Sequence, residues 1–163
     1  MRLWGKVAIV TGAGCGFGEG IAEGFAAEGA SVLVNDLRGD QAERRHGGDR
    51  QSRRPGSAGR ADVGERTGFQ RLVGEAIAAF GRLDVVFNNA GVTHPNGPML
   101  QVDEASFDRV FAVNVKAIYW SAMAAVPVFR NQGGGSFITT IASTAALRPR
   151  PASPGTTAAR GRW

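Results

Sequence analysis

The chain has 163 residues, a size for one domain with a real core, and its 43% hydrophobic and 20% charged residues fit a soluble globular fold rather than a disordered or fibrous one. It has no unbroken run of about 18 apolar residues and no signal-peptide order of basic, apolar and small residues, which predicts a cytoplasmic protein with no membrane partner. The formal net charge of +5 suggests nucleic acid, but Arg44, Arg45, Arg50, Arg53, Arg54 and Arg60, then Arg148, Arg150, Arg160 and Arg162, fall where apolar periodicity is lost and no aromatics are interleaved, so weak polyanion attraction is expected and specific nucleic-acid recognition is not.

In chain order, Val7 to Val10 are β-branched or small with no polar face, as in a strand buried on both sides of a parallel sheet. Gly12, Gly14, Gly16 and Gly18 follow, and then Ile21, Ala22, Phe25 and Ala26 recur at helical spacing. A strand, glycine loop and helix in that order offer free N–H groups and the positive helix end to an anion, and the glycines let a pyrophosphate approach the backbone. The competing reading is an ordinary glycine-rich turn; the strand before it and the helix after it argue for the phosphate loop. Cys15, the single cysteine, excludes an internal disulfide and reads as a small filler in that loop.

Val32 to Asp36 is a second strand ending in a carboxylate. An acid about 20 residues beyond such a loop can accept both hydroxyls of an adenosine ribose and repel a 2′-phosphate. Asp36 therefore predicts NAD over NADP, with Arg38 partly opposing it; a strand-end aspartate of purely local purpose is the alternative. Residues 41–60 offer neither the crossover helix nor the third strand of a βαβ unit and read as an irregular basic segment.

Order returns at Ala61-Asp62-Val63, and Phe69, Leu72, Val73, Ala76, Ile77 and Phe80 predict an amphipathic helix ending at Gly81. Leu83 to Gly91 is a buried strand whose carboxyl end, Asn89, Ala90 and Gly91, lies beside the phosphate loop in the crevice of an open parallel sheet. Asp103 starts a helix with Phe107, Val110, Phe111 and Val113 inward. Asn114 then interrupts an apolar stretch reaching Phe129, and a buried asparagine there must find partners. Trp120, Met123 and Val126 to Val128 exceed what one sheet face needs and predict a subunit contact. Phe137 to Ile141 is a further strand ending at Ala142-Ser143. His46 and His94 have no metal-ligand companion at suitable spacing and read as solvent-facing loop residues, with the substrate mouth an alternative for His94. No metal site is predicted.

Taken together, Thr11-Gly12-x-x-x-Gly16-x-Gly18, Asp36, Asp62-Val63, Asn88-Asn89-Ala90-Gly91, Asn114, and Ser143 followed by Arg148-Pro149 resemble the short-chain dehydrogenase/reductase family in order and spacing. The resemblance implies an α/β fold, a Rossmann-type doubly wound parallel sheet. It is incomplete here, at about the first five strands with the third doubtful, over residues 1–150, and a basic tail at 151–163 does not look native. It further implies an NAD(P)-dependent oxidoreductase acting on a small alcohol or ketone, a homo-oligomer, with NAD as cofactor and NADP disfavoured. By that resemblance Gly12, Cys15, Gly16, Phe17 and Gly18 would hold the pyrophosphate, and Asp36 the ribose. Asp62 and Val63 would flank the adenine, while Asn89, Ala90 and Gly91 would support the nicotinamide half. Asn114 would hold a water of the proton relay, and Ser143 would bond the substrate oxygen.

The family's tyrosine, and its lysine four positions later, have no counterparts: Thr156 and Arg160 stand there. A phenol with a pKa of about 10 can be drawn toward neutrality by a neighbouring ammonium. An aliphatic hydroxyl is too weak an acid for that task, and a guanidinium is a fixed cation. Three readings follow: an impaired dehydrogenase, an inactive dinucleotide-binding remnant or partner-dependent fragment, and a basic nucleic-acid binder. The tail from Pro151 to Trp163 can be encoded by a string whose shifted frame reads Gly-Leu-Thr-Trp-Tyr-Asn-Gly-Gly-Lys-Gly-Ala-Val, and part of residues 44–60 behaves likewise. The expectation is a frame-disrupted family member. Sequencing the coding DNA tests it: the shifted frame should encode tyrosine and lysine near positions 156 and 160, and a frame without them refutes it.

Overall fold

The apolar run that opens the chain forms β1, Val7–Thr11, the central strand of a five-stranded parallel sheet ordered β3-β2-β1-β4-β5. The computed structural model describes residues 1–37, 56–95 and 97–139. β1 leads into α1, Gly16–Ala27, and then β2, Ser31–Asn35. β3, Gly56–Gly59, precedes α2, Arg66–Phe80, which stops at Gly81, a left-handed C-cap with φ 76°. β4, Val85–Asn88, is followed by a 3₁₀ turn at Met99–Gln101 and by α3, Glu104–Phe111. A π-helical turn, Ala112–Lys116, joins α3 to α4, Ala117–Gln132, and β5 is Ser136–Thr139.

β1 pairs with β2 from Val7 opposite Ser31 to Thr11 opposite Asn35, and with β4 from Ala8 opposite Val85 to Val10 opposite Phe87. The chain therefore builds outward from β1 first to one side and then to the other. The switch leaves a crevice at the carboxyl ends of β1 and β4.

The strands alternate between two cores. Val7, Ile9, Leu33 and Val86 pack with Phe69, Leu72, Val113 and Phe129 from α2 and the α3–α4 helix. Val10, Val32, Val34 and Phe87 pack with Ala22 and, partly buried, Phe25 of α1. The rings of Phe25 and Phe87 meet edge to face at 5.9 Å. A strand apolar on both sides is what this arrangement requires.

β3 corrects the expectation of no third strand within residues 41–60. Gly56 to Gly59 pair in parallel with Val32 to Asn35, and the Asn35 amide donates to the carbonyls of Gly59 and Ala61, each at 3.0 Å. An edge strand of small residues shows no period-2 apolar signal, so backbone pairing and one buried asparagine fix it instead. The crossover expected between β2 and β3, and His46, lie outside the described residues.

The α3–α4 helix also qualifies the membrane reading. Glu104–Gln132 is long and apolar enough, by length and composition, to cross a membrane. Asn114 and Lys116 interrupt its apolar residues, so the sequence shows no unbroken run there although the mean hydropathy is high. Its Val110, Val113, Ala117, Ala125 and Phe129 are buried among the described residues. Trp120 and Val128, expected at a subunit contact, pack partly on the core; the exposed apolar side chains are Phe107, Val115, Tyr119 and Met123.

At the amino end of the sheet Asp84 ties three strands together. Its backbone N–H donates to the Val7 carbonyl and its carbonyl accepts from Ser136 N–H, both at 2.8 Å. Its side chain, 8% exposed, accepts from Val7 N–H at 3.0 Å, Lys6 Nζ at 3.2 Å and Arg82 Nε and Nη2 at 2.8 and 2.7 Å. Burial alone pushes this carboxyl up, but the Arg82, Val7 and Lys6 donors outweigh it and hold it below the usual carboxylate range. A carboxyl lowered in the folded state adds stability above its unfolded pKa, about 3.9, and loses that contribution as pH falls through the folded value. Asp84→Asn should cost about 2 kcal/mol at pH 7 in urea unfolding. The gap from the parent should shrink below about pH 4; a gap independent of pH would contradict the charge argument.

Candidate functional site

Thr11 ends β1 with its side chain 1% exposed, and a buried hydroxyl must spend its donor and its acceptor pairs. It donates to the Phe87 carbonyl at 3.4 Å and accepts from the N–H groups of Asn89 and Ala90 at 3.1 and 3.0 Å. Asn89 answers in the other direction, its amide donating to the carbonyls of Thr11 and Gly12 at 3.0 and 3.1 Å. The end of β4 and the start of the glycine loop are thereby one unit.

The loop has no room for side chains where the two segments meet. Gly12 has φ +61°, and a Cβ there would sit 2.8 Å from Ala90 Cα. A Cβ at Gly18 would sit 2.3 Å from the Gly12 carbonyl oxygen and 2.5 Å from Asn89 Nδ2. This close approach brings the first turn of α1 down onto the crevice. Cys15 is its N-cap residue, exposed and extended in backbone, and its side chain caps no amide. The orphan N–H groups of that turn therefore have no side-chain acceptor at the cap position.

A cleft of about 810 Å³ opens at this point, within the 300–1,000 Å³ range usual for small-molecule sites. Of the residues expected at a cofactor, Gly12, Cys15, Phe17, Gly18, Asp36, Asp62, Val63, Asn89, Ala90 and Gly91 all line it. Gly16 begins α1 immediately beside them, and Phe17 is 91% exposed. Asp36 accepts the Gly14 N–H at 3.0 Å, so the carboxylate also braces the loop. Asp62 accepts from Gly64 N–H at 2.9 Å and from Arg109 Nη1 at 2.7 Å.

Asn114, expected at a proton relay, sits in the π-helical turn and is 4% exposed. Both ends of its amide are engaged by Val92: Oδ1 accepts from Val92 N–H at 2.9 Å, and Nδ2 donates to the Val92 carbonyl at 2.8 Å. The side chain thus clamps the chain leaving β4 to the long helix. His94 corrects the expectation of a solvent-facing residue: it is 5% exposed, with Nδ1 2.6 Å from the Pro95 carbonyl oxygen. Ser143, Arg148, Pro149, Thr156 and Arg160 lie outside the described residues, and no group of three or more His, Cys, Asp or Glu suited to a metal occurs among the described ones.

Sequence reasoning gave no role to Thr11, Asn35, Val92 or Arg109. For Thr11 a signal existed, a hydroxyl at the end of an apolar strand that burial would force to find partners. For Arg109 there was none, since its partner is 47 positions away.

The family model for short chain dehydrogenase matches residues 6–161. A 4-formylbenzenesulfonate dehydrogenase of Comamonas testosteroni is 44% identical over 151 residues, 93% of this chain and 60% of that protein. Versicolorin reductase of Emericella nidulans is 36% identical over 92% of this chain and 56% of its own length. Among solved structures, a 3-ketoacyl-(acyl-carrier-protein) reductase from Brucella melitensis complexed with NADH superposes with a TM-score of 0.87 at 36% identity, covering 97% of this chain and 65% of that one. A short chain dehydrogenase/reductase from Burkholderia phymatum in complex with NAD gives 0.90 at 30% identity, covering 98% and 57%. The chain thus spans about 60% of the length of the first of these relatives.

Thr11→Val keeps the shape and removes the hydroxyl, leaving the Ala90 N–H without its acceptor, whereas the Asn89 N–H retains the Phe87 carbonyl at 3.1 Å. Urea unfolding should show a loss of about 1–3 kcal/mol, the cost of one stranded donor; a loss under about 0.5 kcal/mol, the range of a surface substitution, would remove the hydroxyl from its place at the head of the cleft.

Proposed function

This chain belongs to the short chain dehydrogenase family, and we propose that its cleft binds a nicotinamide adenine dinucleotide, NAD in preference to NADP, for exchange between a small alcohol and its carbonyl partner. The observation that carries the reading is that the uncapped start of α1 and the Asp36 carboxylate share one cleft with Asp62 and with the Asn89–Gly91 strand end. That is a fit for a diphosphate at the helix start and a ribose diol at the acid. When bound, the dinucleotide supplies a nicotinamide ring able to take or give a hydride at the substrate carbon.

The chain's own residues do the rest. Gly12, Cys15, Gly16, Phe17 and Gly18 surround the diphosphate with backbone amides, and Asp36 accepts the ribose hydroxyls. Asp62 and Val63 flank the base, and Asn89, Ala90 and Gly91 hold the nicotinamide end through the Thr11 clamp. Ser143 would hydrogen-bond the substrate oxygen. Asn114 contributes by fixing Val92 in the cleft wall. The chain works in the cytoplasm, on this reading, as a homo-oligomer that covers Tyr119 and Met123, which are 54% and 49% exposed.

Thr156 and Arg160 favour a second state of the same site, binding with little turnover. The absence of a positioned general acid costs about 10² to 10⁴ in rate. A fluorescence titration with NADH should saturate, while oxidation of a panel of small alcohols with NAD proceeds slowly or not at all. Strongly salt-dependent DNA binding with no NADH response would overturn the reading in favour of a basic nucleic-acid binder. Asp36→Asn keeps an acceptor for Gly14 N–H and removes the charge; the ratio of NADPH to NADH affinity should rise about tenfold, equivalent to about 1.4 kcal/mol. An unchanged ratio would remove the specificity argument.

A further inference from the structure

Arg109 stands outside every sequence motif, yet it lines the cleft from α3. Its Nη1 lies 2.7 Å from Asp62 Oδ2, while Asp62 Oδ1 accepts the Gly64 N–H at 2.9 Å. Both carboxylate oxygens are therefore held by donors on different segments, one on the turn before α2 and one on the helix across from it. The neighbours on that wall, Ala61 and Val63, are buried and apolar, a suitable surface for a flat base. We propose that Arg109 is a positioning residue for the adenine end of the dinucleotide: it fixes the Asp62 carboxylate as an acceptor for the exocyclic amino group, so that the cleft prefers adenine to a base bearing a carbonyl there. This rests on the dinucleotide reading above.

A carboxylate oxygen that accepts one hydrogen bond keeps a second lone-pair direction, so Asp62 remains able to accept from a ligand. Pinned at both oxygens, it cannot turn away from a carbonyl that approaches it, and repulsion between two acceptors then acts against hypoxanthine. A guanidinium never loses its charge in the working range, so the pinning holds at every usable pH. The pair is too open to be chiefly a stability device: Arg109 is 40% exposed and Asp62 26%, and ion pairs this wet contribute little to folding. Its place in the cleft wall points to orientation instead.

The test compares the affinities of NADH and of reduced nicotinamide hypoxanthine dinucleotide, read by nicotinamide fluorescence, with a melting temperature for every protein. The parent should prefer NADH by about tenfold, the worth of one charge-assisted hydrogen bond over a repulsive contact. Arg109→Met should reduce the preference to about twofold or less with little change in melting temperature, and Arg109→Lys should recover part of it. In an Asp62→Asn background Arg109→Met should have no further effect on the ratio, because Arg109 acts through that carboxylate. Equal weakening of both dinucleotides, no weakening of either, or independent effects of the two substitutions would overturn the proposal while leaving the dinucleotide reading intact. A parent that binds neither dinucleotide would overturn both.

Discussion

The buried hydroxyl of Thr11 is the constraint on which the rest of the site depends. β1 and β4 are 77 residues apart at their first paired positions, Ala8 and Val85, and lie side by side only because the chain, having built outward from β1 to one side, crosses back to add β4 on the other. At that switch the backbone groups leaving the two strands need partners beyond the sheet ladder. One side chain with one donor and two acceptor directions satisfies three of them, and Asn89 satisfies two more. The crevice keeps its shape without a ligand because its floor is already hydrogen-bonded.

Asp84 does the corresponding work at the opposite end of the same strand pair. Its carboxylate gathers Lys6, Val7 and Arg82, and its backbone joins β1 and β5. Between them, the two polar clusters bracket an apolar seam in which Ile9, Val10 and Val86 have no measurable exposure. The division of labour follows from burial: the acid closes a structural end where cations can reach it, and the hydroxyl closes the functional end, where a fixed charge would work against an anionic ligand.

Much of this was legible in the sequence because the central strands, α1, α2 and the glycine loop carry local signals: apolar runs, helical spacing, Gly81 as a stop and Asp103 as a start. Asp103 accepts the Ser106 N–H at 2.7 Å as such a start should. The cofactor-side residues were legible because loop and strand ends must converge in an open parallel sheet. β3 was not, since Gly-Ser-Ala-Gly has no pattern of its own and owes its place to β2 and Asn35. Arg109 and the buried His94 were not, because what defines each is a partner or a cover supplied by the tertiary fold. Asn114 was half legible: its need for partners followed from burial, but their identity, the backbone of Val92, depends on how the π-helical turn meets the end of β4.

The most direct measurement of the central claim is amide hydrogen exchange across residues 11–18 and 87–92, with and without saturating NADH. The account predicts that the Asn89 and Ala90 amides are protected before any ligand is added, and that NADH extends protection to the amides at the start of α1. Fast exchange at Asn89 and Ala90 in the free protein, or saturation by NADH with no change at the start of α1, would contradict it.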